Sequence, residues 1–480
     1  MRFIPISLAA ILSAVPLASA APSDEPLSLA LAVDHALERN LGLKIRRYNP
    51  AIEAGNVVIE DAAFDLQLTA GAGLGKDKVA ATGAEFGNGA LSAGISKKFS
   101  TGATVDVSTN LDHDSSSVTG DGAGLSASIT QPLLRGAWAD VSLAELRKAK
   151  SRLTAAELQL RSDTLDLVLD VEGKYWDLSH AAESVKLAES SVEAARQLVE
   201  EVKAKRAANQ ASDVDLLEAQ ASLASKQNLL TQARQNHAQA ADTLAQVMGD
   251  LMGREGAVYE PSVAELPFDA TPAPDFASLW PTILSEDIAG PIQEESVRRA
   301  DIDNLVAKNG RRPQLDLVLS GGYSGSGYSE GDAYDSLGDR DGHTWKSRLA
   351  FSMPIGRREN IARSRQASAK LEQEKLGLLD TRQTLFQKAR QAWRDVNMNL
   401  ERCASTAAGV EYQQKAFEMA NVKFQNGLIT FRQLLDSQSD YDSARQSHID
   451  ALRDLALARA TMARLDGTLA RTVASETPSK

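Results

Sequence analysis

The chain has 480 residues, a net charge of −12 and a single cysteine, Cys403. The acidic balance argues against nucleic-acid binding, and one cysteine excludes an intramolecular disulfide. Beyond the N-terminus there is no apolar run of about 20 residues, so the sequence does not predict a membrane protein built from spanning helices.

The first 20 residues have the pattern of a secretory signal peptide. Arg2 supplies the positive charge, Ile4–Leu17 the apolar run, and Ala18–Ala20 the small residues that precede a cleavage site. The apolar run contains two prolines and is too short to cross a bilayer. We therefore expect a mature protein that begins at Ala21, and an uncleaved anchor is the less favoured alternative.

In the first half of the chain, the hydrophobic period then changes from helical to strand-like. Ser28 to about Asp61 has the period of a helix, whereas Phe64–Ala70 and Leu125–Thr130 alternate apolar and polar residues, as strands do. Between these two stretches, Leu91–Leu111 resembles a hairpin that turns at Ser100–Gly102. This region is therefore predicted to form antiparallel strands.

The second half repeats the same change of period. Leu315–Ser320 and Trp345–Ile355 alternate as strands do. The joining segments Gly71–Ala90 and Gly321–Gly342 are rich in Gly, Ser and Asp, which favours exposed loops.

Each strand region is followed by a helix of unusual length. Neither Trp138–Ala208 nor Arg358–Asn426 contains proline, and at ~1.5 Å per residue the first would be about 105 Å long. Both are several times longer than the average globular helix. Prolines accumulate between the two halves and predict a connector at 250–290, and 470–480 is predicted to be a disordered tail.

The turn that ends each long helix occurs twice, at a constant offset. Asn209 and Gly427 lie 218 positions apart, and so do Gly249 and Gly467, which end the following helices. The heptad pattern keeps its phase between these markers. This pattern predicts a duplicated fold built from very long helices.

The predicted fold class is mixed α/β and mainly α, with two repeats at 21–249 and 291–469. Four alternating strands cannot close a barrel alone, because even the smallest membrane barrels have about eight. Strands pooled from several chains would remove the unpaired edges that hydrocarbon does not tolerate. The sequence therefore favours an oligomer.

This order of elements resembles the outer-membrane efflux protein (TolC) family over nearly the whole mature chain. The most specific residues lie at the second helical turn, the helix restart, two strand-to-helix corners and the start of one strand: Asn426-Gly427-Leu428, Leu434-Leu435-Asp436, Gln131-Pro132-Leu133, Met353-Pro354-Ile355 and Arg312-Pro313-Gln314-Leu315. The resemblance implies that three protomers form one tube. Their strands pool into a single outer-membrane β-barrel, which a long α-helical barrel continues through the periplasm.

The resemblance also implies a function. The protein would be a homotrimeric, passive exit duct of a tripartite efflux pump or a type I secretion system, in contact with outer-membrane lipid. Its partners would be a periplasmic adaptor (membrane fusion) protein and an inner-membrane pump. A periplasmic coiled-coil adaptor or structural protein is the alternative, although it leaves the alternating strands unexplained.

The segment Leu91–Leu111 departs from the simplest form of the family. Either the strand count rises, or this hairpin folds outside the barrel. We favour an extended loop or an extra hairpin.

The helical turns are the predicted docking sites. A tight turn between helices favours positive φ, which Gly427 adopts freely and Asn209 at modest cost. In the family, such turns form tips that dock on the partners. The resemblance therefore assigns docking to Asn209, Gln210, Asn426, Gly427 and Leu428. Ordinary hairpin turns without a partner are the alternative.

The predicted gate lies just past these turns. The resemblance implies that the Asp436 carboxylate projects into the pore, where three copies would attract cations. Gln433 replaces a second family acid. Ile429 replaces the arginine that pairs with the acid matched by Asp215. The closed state must therefore be held differently, and the candidates are Phe424, Lys423 and Arg432.

Asp215 has a second interpretation, since an acid in the first turn of a helix also caps it. Gate and cap remain equal alternatives for this residue. The sequence contains no Ser-His-Asp arrangement, phosphate-binding loop or metal-ligand cluster at useful spacing, so we expect no catalytic residues, cofactor or metal.

Overall fold

The computed structural model describes residues 27–78, 85–114, 120–208, 210–250, 263, 265–338 and 342–469. The predicted signal peptide and C-terminal tail lie outside these residues, as do 251–262 and 264 of the predicted connector. The described part is mainly helical and contains one antiparallel sheet, as predicted. None of its helices is both long and apolar enough to cross a membrane.

The described residues form eleven α-helices. In chain order they are α1 Leu29–Arg39, α2 Leu41–Arg46, α3 Tyr48–Asp61, α4 Ala139–Ser142, α5 Ala144–Ala207, α6 Asp213–Met248, α7 Phe276–Ser285, α8 Ala289–Asn309, α9 Glu330–Gly338, α10 Arg358–Gln425 and α11 Phe431–Leu465. Both proline-free stretches form a long helix, as predicted: α5 has 64 residues and α10 has 68. The first stretch also contains the short α4, so its long helix begins at Ala144 and not at Trp138. The predicted first helix is divided into three at Asn40 and Arg47.

The chain divides into two compact units, and each takes segments from both halves of the sequence. The first unit contains the described residues up to Lys44, Thr164–Ile283 and those from Ala389 onward. The second contains Ile45–Asp163 and Leu284–Lys388. Helices α5 and α10 contribute residues to both units.

In the first unit, α1, α5 and α6 bury apolar side chains against one another. The members of this core include Ala32, Val33, Ala36, Val168, Val171, Tyr175, Leu178, Ala241, Leu244 and Met248. The buried Tyr175 hydroxyl donates a hydrogen bond to the carbonyl of Leu27 (2.9 Å). Gly249, which ends α6, has a φ of 77°, and a Cβ there would lie 2.7 Å from the Arg39 carbonyl. This position therefore requires glycine.

The second unit contains a six-stranded antiparallel sheet in sequence order. Its strands are β1 Leu66–Lys78, β2 Glu85–Lys98, β3 Thr104–Asp114, β4 Asp121–Pro132, β5 Gln314–Gly327 and β6 His343–Ser352. Strands β2 and β3 form the hairpin predicted for Leu91–Leu111, with a φ of 88° at Gly102. The hairpin is part of the sheet, so the number of strands in the sheet rises to six.

The predicted loops are shorter than expected. Gly71–Lys78 continues β1 and Glu85–Ala90 belongs to β2, so most of the loop predicted at Gly71–Ala90 is strand. Gly321–Gly327 likewise continues β5, and α9 occupies much of the remaining segment. Glycine weakens a strand, but its backbone can still form the ladder of hydrogen bonds when a neighbouring strand is available.

The sheet has one apolar and one polar face, because successive side chains of a strand point to opposite sides. We call the first the apolar face. Its neighbours across the strands include Leu68 and Ile95, Val107 and Ala127, Ile129 and Leu319, and Leu317 and Leu349. The opposite face carries pairs such as Thr69 with Gly94 and Ser108 with Ser126. On the apolar face, Leu68 is 79% exposed and Trp345 80% exposed.

Four helices of the second unit contact one another in the order α3, α5, α8, α10. The contacts that set this order are Arg152 with Glu53 (3.7 Å), Lys148 with Asp303 (2.8 Å), and Gln293 with Glu374 (2.8 Å). Helices α3 and α10 are therefore the two outer members of this group.

Candidate gate and docking tips

The first predicted tip joins α5 to α6. The Gln210 amide donates to the carbonyl of Lys205 (2.8 Å), a bond that closes the end of a helix. Asn209 lies outside the described residues. Helix α6 begins with a capping box: the Ser212 hydroxyl accepts from the Asp215 amide (3.1 Å), and the Asp215 carboxylate accepts from the Ser212 amide (2.8 Å).

The second predicted tip joins α10 to α11 through equivalent bonds. The Leu428 amide donates to the carbonyl of Lys423 (2.9 Å), and Gly427 has a left-handed φ of 72°. A second capping box links Thr430 and Gln433: the hydroxyl accepts from the Gln433 amide (3.3 Å), and the Gln433 side chain accepts from the Thr430 amide (3.0 Å). Both tips are thus built in the same way.

The equivalent residues of the two tips have the offset of 218 positions seen in the sequence. They are Lys205 and Lys423, Gln210 and Leu428, Ser212 and Thr430, and Asp215 and Gln433. This is the local geometry that the predicted duplication requires.

The docking residues that the structure describes are accessible. Gln210, Asn426 and Gly427 are exposed, and the Leu428 side chain is 73% exposed. The Asn426 side chain donates to the carbonyl of Val422 (2.8 Å), which holds it against the end of α10. An exposed leucine beside a rigid turn is available for contact with another protein.

A single chain does not bring the predicted gate residues together. The Asp215 carboxylate and the Gln433 side chain each serve a capping box. Asp436 is exposed one turn further along α11, and Ile429 is half-buried. Among the described residues, no hydrogen bond or ion pair joins Asp436 to Asp215. The capping interpretation of Asp215 thus has a direct geometric basis.

Three side chains connect the two helical hairpins at the tips, and we call them the aromatic latch: Lys205, Phe424 and Phe431. The Lys205 ammonium lies 4.0 Å from the centroid of the Phe424 ring, and that ring lies 5.6 Å from Phe431. Phe431 is only 2% exposed. It packs in a cluster with Val199 and Val202 of α5 and Ala219 of α6, a cluster that Phe424 also joins.

Of the candidates named from the sequence, Phe424 makes the contact described above, Arg432 lies 3.9 Å from Glu218, and Lys423 is exposed. Sequence reasoning missed Lys205. Its one signal was the 218-residue offset that makes it the equivalent of Lys423.

Further polar contacts join α11 to the first hairpin. They are Lys226 with Asp442 (2.8 Å), His180 with Asp450 (2.7 Å), and Arg453 with Asp177 (2.6 Å). In the first of these pairs both side chains are only 16% exposed. Breaking so buried a pair leaves uncompensated charges, which resists separation of the helices.

His448 lies between α10 and α11, and its ring nitrogen Nδ1 is 3.1 Å from the Thr406 hydroxyl. Burial lowers the pKa of His448 below its ordinary value, because the charged imidazolium loses solvation. The side chain is therefore neutral at pH 7 and adds no charge to these contacts. Within the described ranges, no group of three or more His, Cys, Asp or Glu side chains could hold a metal ion.

Long helical hairpins with exposed tips, together with an antiparallel sheet that has an exposed apolar face, define a class of outer-membrane channel proteins. The profile of the outer membrane efflux protein family matches residues 32–250 and 285–468. The chain belongs to this family, which confirms the resemblance read from the sequence. No curated protein matches the sequence.

Several solved structures share the fold. The outer-membrane channel OprN is 18% identical with a TM-score of 0.70, over 92% of this chain and 89% of that one. The CmeC outer membrane channel of Campylobacter jejuni is 16% identical with a TM-score of 0.70, over 93% and 89%. The outer membrane protein VceC of Vibrio cholerae is 15% identical with a TM-score of 0.70, over 92% and 96%.

Membership of this family makes the protein an efflux channel of the outer membrane that extends into the periplasm. The matched family and the structural neighbours are channels and not enzymes.

The two interpretations of Asp215 can be separated by substitution. Ser212→Ala and Asp215→Ala each remove half of the first capping box, so both should destabilise the first turn of α6 by ~1–2 kcal/mol. Hydrogen exchange of the amides in that turn should then be faster by about tenfold in both variants. Asp213→Asn is the control, because Asp213 pairs with Arg206 and takes no part in the box. Unchanged exchange in Asp215→Ala would contradict the capping role.

Proposed function

We propose that the protein is a homotrimeric channel-tunnel whose strands close one β-barrel in the outer membrane and whose helices continue it into the periplasm. It is the passive exit duct of a tripartite efflux pump or a type I secretion system. Its partners are a periplasmic adaptor (membrane fusion) protein and an inner-membrane pump, and its barrel contacts outer-membrane lipid. In this proposal 21–249 and 291–469 are structural repeats joined by the connector 250–290. The observation that carries it is a sheet with an exposed apolar face and two open edges.

The edges of the sheet support assembly from several chains. Among the described residues, β1 pairs only with β2, and β6 pairs only with β5. Unpaired backbone groups cost several kcal/mol each in hydrocarbon, so both edges must be satisfied in a membrane. If β6 of one chain pairs with β1 of the next, three chains give eighteen strands. Barrels of about 16–18 strands leave an aqueous channel.

The outer helices of the second unit support the same ring. The end of α2 and helix α3 expose an apolar stripe with heptad spacing. It is formed by Ile45, Tyr48, Ile52 and Ile59, each at least 59% exposed. Helix α10 exposes Leu376 and Leu379, which lie three residues apart and therefore on one side of the helix. Two different apolar stripes at opposite ends of one helix group suit a head-to-tail interface, which closes into a ring. We propose that α3 of one chain packs on α10 of the next.

The interface can be tested with two charges. Tyr48→Asp combined with Ile52→Asp should convert trimers to monomers, because burying two carboxylates at an apolar interface costs several kcal/mol per chain. Native mass spectrometry of the detergent-purified protein measures the number of chains. Arg363→Asp is the control, since Arg363 pairs within α10 with Glu359 and lies off the stripe. Trimers of undiminished stability in the double variant would refute this interface.

We further propose that the tips form the gate. Three-fold symmetry would bring three Asp436 carboxylates together, near Gln433, Ile429 and Asp215 of each chain. The aromatic latch would hold each second hairpin against the first in the closed state. Opening by an iris-like movement would then break the contact between Lys205 and Phe424, and the energy for it would come from the inner-membrane partner.

The latch has a measurable consequence for gating. A cation–π contact of this kind contributes about 0.5–2 kcal/mol, so Lys205→Gln should raise the open-to-closed ratio by about 2–30-fold. Single-channel recording in planar bilayers measures this ratio. Phe424→Leu should have a similar effect, and the double variant should add little to either. Lys203→Gln is the control, because Lys203 pairs with Glu200 on its own helix. An equal rise in the control, or none in Lys205→Gln, would exclude the latch.

The proposed Asp436 ring predicts cation block. Three close carboxylates concentrate cations, so magnesium added from the tip side should reduce the current through the channel. Asp436→Ala should weaken this block by about tenfold, which a titration of the current with magnesium would reveal. Glu372→Ala is the charge-matched control, since this exposed carboxylate pairs with Lys375 on α10. Block that is unaffected by Asp436→Ala would remove Asp436 from the gate.

We also propose that Asn209, Gln210, Asn426, Gly427 and Leu428 dock on the adaptor or the pump. An introduced cysteine can be labelled selectively, because the one natural cysteine, Cys403, is fully buried. Leu428→Cys therefore supplies a reactive thiol at the tip for a short cross-linker in intact cells.

The cross-linked product should contain a periplasmic adaptor or an inner-membrane pump, identified by mass spectrometry. Glu411→Cys, at an exposed position on α10, should give much less of it. Equal cross-linking at both positions would mean that the tips are ordinary turns without a partner.

A further inference from the structure

The second unit contains a cleft of about 380 Å³ between α5 and α8, apart from the gate and the tips. Arg147, Lys150, Ser151, Thr154, Arg298 and Ile302 line it. Three of these six side chains are permanent cations at pH 7, in a chain whose net charge is −12. Such a concentration of positive charge on an acidic protein points to an anionic ligand.

The carboxylates near the cleft do not neutralise these cations. Arg147 lies 3.5 Å from Asp140, and Arg298 lies 3.3 Å from Glu295. Within the described ranges, the Lys150 ammonium has no carboxylate partner. Arg299 adds a fourth cation, and its guanidinium lies 3.4 Å from the Ser151 hydroxyl that lines the cleft. Arg299 is offset by Glu374 of α10, whose pKa it helps to lower. The three cations that line the cleft thus face two carboxylates, and Lys150 is left without one among the described residues.

The floor of the cleft is rigid and its rim is charged. Ser151 is 3% exposed, and its hydroxyl donates to the Glu295 carbonyl (3.1 Å), which ties α5 to α8. Ile302, 4% exposed, provides an apolar wall. Arg147, Lys150 and Arg298 also line the cleft, and their side chains are exposed. Forked guanidinium donors beside a point charge are the groups that proteins use to bind phosphate.

The cleft also lies close to the sheet. The corner between β4 and α5 is held by backbone bonds from Trp138 to Thr101 (3.1 Å) and from Leu133 to Leu315 (2.7 Å). Trp138, which is 69% exposed, has the character of a membrane-interface side chain. Arg147 to Thr154 occupy the first turns of α5, about 5–15 Å along its axis at ~1.5 Å per residue. This distance brings the cationic rim near the level of lipid headgroups if the sheet spans the membrane.

We propose that the cleft between α5 and α8 binds a phosphate group, held by Arg147, Lys150 and Arg298. The phosphodiester of a lipid headgroup and a free phosphate ion share this chemistry. The site goes beyond the proposed duct, and its test uses binding and not conductance, so failure of one proposal is distinguishable from failure of the other.

The test uses the purified full-length protein in a non-ionic detergent after removal of bound lipid. Titration calorimetry with inorganic phosphate measures binding of the free ion. Native mass spectrometry with added phosphatidylglycerol or phosphatidylcholine measures the preference for an anionic headgroup. The variants are Lys150→Gln alone and the triple variant Arg147→Gln, Lys150→Gln and Arg298→Gln. The control is Arg363→Gln, which removes an exposed cation of α10 that pairs with Glu359.

The wild type and the control should bind one phosphate-bearing probe per chain at this site. Lys150→Gln should weaken binding by about tenfold, the effect of removing one charged hydrogen bond, and the triple variant should abolish it. Lys150 is exposed and has no ion pair within the described ranges, so the single variant keeps the test valid even if the triple variant does not fold.

Preference for phosphatidylglycerol that depends on these residues identifies a lipid site. Phosphate binding without that preference identifies a site for the free ion. Equal binding of both probes by wild type and Lys150→Gln would overturn the proposal.

Discussion

The structure depends on how the backbone groups at the edges of the six-stranded sheet are satisfied. A sheet with an exposed apolar face belongs in hydrocarbon, where an unpaired amide or carbonyl has no water to bind. The described part of the chain leaves β1 and β6 each with one neighbour. The proposed assembly meets this constraint, because the edge strands of neighbouring copies would supply the remaining hydrogen bonds.

The long helices could be predicted from the sequence more fully than the strands. The absence of proline was sufficient to predict both α5 and α10, although α5 begins six residues after the predicted start at Trp138. The strands were harder to predict. Gly71–Lys78 and Gly321–Gly327 have a loop-like composition, yet they are strands because a neighbouring strand offers a full set of hydrogen bonds. Strand pairing joins segments that are distant in the sequence, so the composition of one segment alone does not predict it. The same holds for the hairpin at Leu91–Leu111, whose place in the sheet depends on its pairing with β1 and β4.

The tips also contain one feature that the sequence predicted and one that it did not. Turn chemistry is local, and Gly427 has the left-handed φ that the sequence predicted. The contact between Lys205 and Phe424 joins residues that are far apart in the chain, and only the internal offset hinted at it. The Asp215 carboxylate makes the bonds of a helix cap, and its role in a gate stays a prediction. The gate proposal consequently rests more on Asp436 and the aromatic latch than on Asp215.

The central claim is that several copies of this chain together form one water-filled pore through the outer membrane. Planar-bilayer recording of the purified wild-type protein tests it most directly. The account predicts discrete, uniform current steps as single assemblies insert, with ions passing through the lumen that the polar face of the sheet would line. Protein that inserts into the bilayer, or remains a single chain in detergent, without producing any such steps would contradict it.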